Sequence, residues 1–96
     1  MSAKERARDL RLRRCYGLTL AQYEQMFELG NRRCWVCLRP PKLGKNLNVD
    51  HDHKTERVRS LLCFACNKYL IGRHRDGAKF ERAAEILKST FDGRTL

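Results

Sequence analysis

A small α+β domain is the fold this sequence predicts, and three observations carry it. Two stretches repeat apolar residues at helical spacing, two short extended segments flank a polar turn, and two Cys-x-x-Cys pairs stand on either side of that turn. With 96 residues, 42% apolar content and no apolar run near the ~20 residues of a membrane span, the chain reads as one small soluble domain or a domain with a tail. A core of that size is marginal unless a metal or disulfides hold it. The opening "MSAKERARDLRLRRCYG" lacks the apolar stretch of a secretory signal, so a cytoplasmic setting is expected, where paired cysteines are metal ligands sooner than disulfides.

Taken in order, residues 3 to 14 suit a basic helix, but Leu10 and Leu12 give it only a thin apolar side and its order could depend on a partner. Residues 1–15 are therefore set apart as a basic segment from a domain over 16–93. "GLTLAQYEQMFELGN" predicts a short amphipathic helix: Thr19 with Gln22 forms a capping box, Tyr23, Met26 and Phe27 make one stripe, and Gly30 ends it. "RPPKLGKN" holds both prolines and marks a loop. "LNVDH" and "RVRSLL" flank "DHKTE" as two strands of a hairpin. Near the end, Phe80, Ala83, Ala84, Leu87 and Phe91 recur at helical spacing before Gly93, which predicts a second amphipathic helix with its stripe in the core.

"CWVC" is followed, after 25 intervening residues, by "CFAC". Cys34, Cys37, Cys63 and Cys66 thus offer four thiolates, the soft donor set that zinc takes in a closed tetrahedron, with disulfides or a redox pair as the alternatives. Such a site has no open position for substrate, so its metal is expected to hold the fold rather than do chemistry. Cys15 is left over, and a plain free or buried thiol is its expected state.

The 21 Lys and Arg against 11 Asp and Glu give a formal charge of +10, which suggests a polyanionic partner such as the phosphates of a nucleic acid. A basic surface kept for solubility is the plainer account. Arg11, Arg13, Arg14, Lys54, Arg57 and Arg59 are the candidate phosphate contacts.

Against that excess, "NVDHDH" concentrates Asp50, His51, Asp52 and His53 inside the loop that the cysteines close. Carboxylate oxygens suit a hard divalent ion, and a neutral imidazole suits proton abstraction from water. In an unbroken strand His51 and His53 face one side, Asp50 and Asp52 the other, so Asp50 and His51 share a site only where the strand bends or ends. Composition alone reads equally as a polar turn with surface histidines.

The run "CWVC", "LNVDHDHKTERVRSLLCFACNKYLI" and the preceding "YGLTLAQYEQMF" resemble the endonuclease VII family of phage recombination nucleases, within the His-Me finger or HNH superfamily, over roughly residues 16 to 76. The resemblance implies a β-hairpin followed by a helix, a ββα-metal unit, clamped by structural zinc on the four cysteines. It implies that Asp50 and Asn67 bind a catalytic Mg2+ or Mn2+, that His51 is the general base, and that His53 lies close to the scissile phosphate. The partner it implies is duplex or branched DNA, with no membrane, and a homodimer is one arrangement it leaves open. Junction-resolving members continue into long helices that build a dimer, whereas this chain ends soon after Asn67, which sets a less discriminating nicking or double-strand nuclease beside a junction nuclease. A zinc-stabilised DNA-binding module without catalysis is the remaining alternative.

Overall fold

The structure, a computed structural model, describes residues 1–89. Helix α1 spans Ala3–Tyr16 and α2 spans Leu20–Leu29; strands β1, Asn48–His51, and β2, Val58–Leu62, form a two-stranded antiparallel sheet; a single π-helical turn, Cys66–Ile71, and helix α3, Ala78–Lys88, follow. This is a small α+β domain. Among the described residues no helix is long and apolar enough to cross a membrane.

Local chemistry sets the helix ends. Ser2 and Glu5 exchange side-chain and backbone hydrogen bonds at the start of α1, and Thr19 and Gln22 do the same at α2, so each helix begins with two of its orphan amides satisfied. Gly17 stops α1 at φ 65°, a left-handed conformation that a glycine adopts without steric cost. Two residues of coil then turn the chain into α2.

Helix α1 is seated by contacts within the chain. Its buried Asp9 accepts the Leu20 amide at 2.8 Å through one carboxylate oxygen and Arg13 Nε at 2.7 Å through the other, so an acid of α1 caps the positive end of α2. Leu12 enters the core beside it. The thin apolar side expected from sequence is thus supplemented by a buried polar joint.

The core gathers Leu12, Leu18, Leu20, Tyr23, Cys34, Leu47, Val49, Leu61 and Leu62. Leu61 and Leu62 are successive residues of β2 and point to opposite faces, yet both are 0% exposed, so the sheet is covered on both sides at that end. Buried Tyr23 donates its hydroxyl to the Leu47 carbonyl at 2.7 Å, tying α2 to the approach of β1.

Helix α3 corrects one expectation. It forms where its periodicity predicts, but none of its residues is buried: Leu87 is 87% exposed and Ile86 73%. Phe80 is half-buried and meets the His74 ring edge-on at 5.1 Å. Amphipathy states that one face favours cover without saying which surface provides it. Phe91 and Gly93 lie outside the described residues.

Candidate functional site

The four paired cysteines come together. Their sulfurs all lie within 4.8 Å of one another, Cys34 buried and the others half-buried, and every cysteine of the chain is a free thiol. A tetrahedral zinc with ~2.3 Å bonds to sulfur sets its ligands about 3.8 Å apart, and Cys37 Sγ and Cys63 Sγ are 3.8 Å apart. The cluster could therefore hold a metal such as zinc. Burial opposes ionisation of Cys34, but backbone hydrogen bonds from Cys63, Cys37 and Val36 bring its thiol down to about 6. Burial and then the neighbouring thiols of Cys63, Cys34 and Cys37 push Cys66 up to about 12. Four crowded sulfurs resist sharing that much negative charge, and a divalent cation is the natural counterweight.

Backbone bonds weld the cluster to the hairpin. Trp35 donates its amide to the Leu61 carbonyl of β2 at 3.1 Å, while Cys34 donates to Arg39 and the Leu38 amide returns to Cys34. On the other side the Cys66 amide reaches Cys63 Sγ at 3.5 Å, and the Asn67 amide donates to the Cys63 carbonyl at 2.9 Å. The second cysteine pair thereby fixes the backbone of Asn67. Gly72 donates to the Asn67 carbonyl at 2.8 Å, and a Cβ on Gly72 would run into that same carbonyl oxygen, so only glycine closes the turn.

The ladder between β1 and β2 is irregular next to His51. Asp50 pairs with Ser60 but His51 pairs with Val58, so Arg59 is an extra residue in β2, a β-bulge that breaks the strict alternation of side chains. Beyond the bulge, His51 is half-buried with its ring 5.4 Å from Tyr16 and 4.7 Å from exposed His53. His53 and Asn67 line one open groove of about 640 Å3.

Asp50 is not among the residues that line that groove and is 2% exposed. Its Oδ2 accepts from Arg59 Nε at 3.1 Å and Ser60 Oγ at 3.0 Å, and its Oδ1 accepts from Arg59 Nη2 at 2.8 Å. The same guanidinium donates to the His74 and Gly72 carbonyls at 2.6 and 3.4 Å. Arg59, expected at a DNA surface, instead faces inward and spans from β1 to the segment after the π-helical turn. Arg11, Arg14, Lys54 and Arg57 are exposed, and Arg13, also exposed, holds Asp9.

Asp52 organises the hairpin loop. Its Oδ1 accepts the Lys54 and Thr55 amides at 2.8 and 3.0 Å, and both carboxylate oxygens accept from Arg75 Nε. These bonds, led by Arg75, hold its carboxyl well below the usual range. Asp9, Ser60 and the inward course of Arg59 were not visible in the sequence, because each depends on a partner brought close by the bulge or by helix packing.

A model of the recombination endonuclease VII family matches residues 9–89. The chain is 46% identical to the Gene 59 protein of Mycobacterium phage L5 over 80 residues, 82% of this chain and 49% of that protein. It is 42% identical to the Gene 59 protein of Mycobacterium phage D29 over 81 residues, 83% of this chain and 49% of that protein. The chain thus spans about half the length of these curated relatives. No solved structure matches it.

Proposed function

The chain belongs to the recombination endonuclease VII family, and on that premise we propose that it is a divalent-metal-dependent DNA endonuclease with a His-Me finger (HNH) centre and a structural zinc on Cys34, Cys37, Cys63 and Cys66. The observation that carries this reading is the convergence of His53 and Asn67 on one groove, with the His51 ring tilted against His53 at 4.7 Å and the Asn67 backbone held by the second cysteine pair. A pure binding module has no need to set a histidine and an amide on the same opening with a second imidazole beside them. The catalytic domain is proposed to take in α1, whose Leu12 enters the core and whose Asp9 caps α2, with the exposed arginines of that helix adding positive charge, and to act in the cytoplasm on duplex or branched DNA; a homodimer is compatible with this reading.

In this mechanism His51 accepts a proton from a water molecule, and the water oxygen attacks phosphorus in line. The bond from phosphorus to the 3′ oxygen breaks, and that oxygen takes up a proton, leaving 5′-phosphate and 3′-hydroxyl ends. Tyr16 and His53 orient the His51 ring, and His53 lies beside the scissile phosphate. Asp50 and Asn67 would hold Mg2+ or Mn2+, which when bound supplies stabilisation of charge on the phosphate and the leaving oxygen. Both donors are hard oxygens, as Mg2+ requires, and Asp50 Oδ1 accepts a single hydrogen bond and so keeps a lone pair.

One observation favours a second reading. The grip of Arg59 on Asp50 is what a zinc-stabilised DNA-binding module without catalysis would also display. Plasmid nicking by the zinc-loaded protein, with and without added Mg2+ or Mn2+, separates the two. The nuclease reading expects nicked circles only when the metal is added. DNA that is retained on a filter but stays supercoiled with both metals would leave the binding module.

A further inference from the structure

The two cysteine pairs carry aromatic residues at the same position, and the structure treats them differently. The Trp35 ring lies against Gly30, where a Cβ would collide with the indole. Phe64 is instead 61% exposed, and Tyr69, on the π-helical turn, is 72% exposed. The rings of Phe64 and Tyr69 stand edge to face with centroids 6.2 Å apart. Lys68 Nζ lies 5.3 Å from the first and 5.5 Å from the second.

This pair is not left over from core packing. Phe64, Lys68, Tyr69 and Arg73 line the same groove as His53 and Asn67. Exposed aromatic faces beside two cations are the combination that binds single-stranded nucleic acid: bases stack on rings while ammonium and guanidinium groups meet phosphates. The chain's charge of +10 makes a polyanion a better match for this groove than an apolar protein face. A base inside a duplex has its two faces already stacked on neighbours, so only an unpaired or unstacked base can meet Phe64 or Tyr69.

We infer that Phe64 and Tyr69 form a stacking platform for an unpaired DNA base, with Lys68 and Arg73 on its flanking phosphates. The inference rests on the nuclease reading for its setting: the platform places the unstacked nucleotide next to the phosphate that His51 and His53 address. It makes local unstacking of one strand, rather than base sequence, the feature selected.

The test uses the zinc-loaded full chain without added Mg2+ or Mn2+, so that binding is read apart from cleavage. The probes are a single-stranded oligonucleotide containing 2-aminopurine and the same oligonucleotide in a duplex. Binding should quench 2-aminopurine in the single strand. Phe64→Ala with Tyr69→Ala should abolish the quench and weaken single-strand binding by roughly 5- to 150-fold more than duplex binding. Phe64→Tyr and Tyr69→Phe, which keep the rings, should retain both signals. Equal losses on the two probes would overturn the platform, as would an intact quench in the alanine variant. A changed sedimentation mass with unchanged single-strand affinity would also overturn it, assigning the rings to contact with a second copy. A chain that never nicks plasmid but shows the quench would sink the nuclease reading alone; a nicking chain whose variants do not distinguish the probes would sink the platform alone.

Discussion

Arg59 grips Asp50 with two hydrogen bonds, from Nε to Oδ2 and from Nη2 to Oδ1, at a site where the carboxylate is 2% exposed. The β-bulge makes this contact, since Arg59 is the residue of β2 that has no partner in the ladder. Through the Gly72 and His74 carbonyls the guanidinium also anchors the chain after Asn67. One side chain therefore sets the spacing between the two positions proposed to share a catalytic ion.

Removing Arg59 strands a buried charge. Arg59→Met should cost about 3–5 kcal/mol, because Asp50 keeps only the Ser60 hydroxyl, and the midpoint of urea unfolding measures it. Added Mg2+ should recover part of the loss if Asp50 is an ion ligand, and should recover none of it in Asp50→Asn combined with Arg59→Met. A variant as stable as the parent would mean that Arg59 does not support Asp50.

The cysteine cluster makes a separate prediction about stability. Replacing Cys37 or Cys63 by Ser should remove bound zinc and the folded state together, as metal binding of this type contributes ~10–16 kcal/mol of apparent folding free energy. Protons compete with zinc for the thiolates, so zinc affinity should fall as pH falls. Zinc stoichiometry and melting temperature, measured together across pH, check both. Parental values in either serine variant would defeat the four-cysteine assignment.

Catalysis and binding should separate at His51. His51→Ala is expected to lose ~10²–10⁴ in cleavage rate while DNA binding persists, since the half-buried ring lies tilted against Tyr16 and His53 and is not part of the core. Asn67→Ala should instead raise the Mg2+ concentration needed for half-maximal cleavage. Parental cleavage by His51→Ala would remove it as the base, and an unchanged metal titration in Asn67→Ala would remove that residue as a ligand.

These sites were unequally legible. The cysteines were readable because four soft donors at two short spacings state their chemistry without tertiary information. Thr19 and Gln22 were readable because a capping box is closed within one turn. Arg59 was not, because a single extra residue in β2 decides whether its side chain meets DNA or Asp50, and no local pattern announces that bulge. The stripe of α3 was readable as a stripe, but its exposure was not, since what lies opposite a helix face is set by the path of the whole chain.

The last prediction concerns α1, where charge and packing meet in one residue. The Leu20 amide foremost, with Arg13, holds the Asp9 carboxyl below its ordinary value of 3.8. A carboxyl whose pKa is lower folded than unfolded contributes stability that is complete above the unfolded value and is lost as pH falls through the folded one. Asp9→Asn should therefore lower the melting temperature at neutral pH and weaken its dependence on pH in the acid range, where the gap between parent and variant closes. Because Tyr16, at the end of the same helix, lies against His51, the variant should also cleave more slowly at temperatures where α1 loosens. If α1 were instead an independent arm that only grips phosphates, Asp9→Asn would leave the melting temperature unchanged at every pH, and deleting residues 1–14 would weaken DNA binding without touching stability. Melting curves across pH on the parent, Asp9→Asn and the deletion, with DNA binding against salt on the same proteins, decide between a helix built into the domain and a tether attached to it.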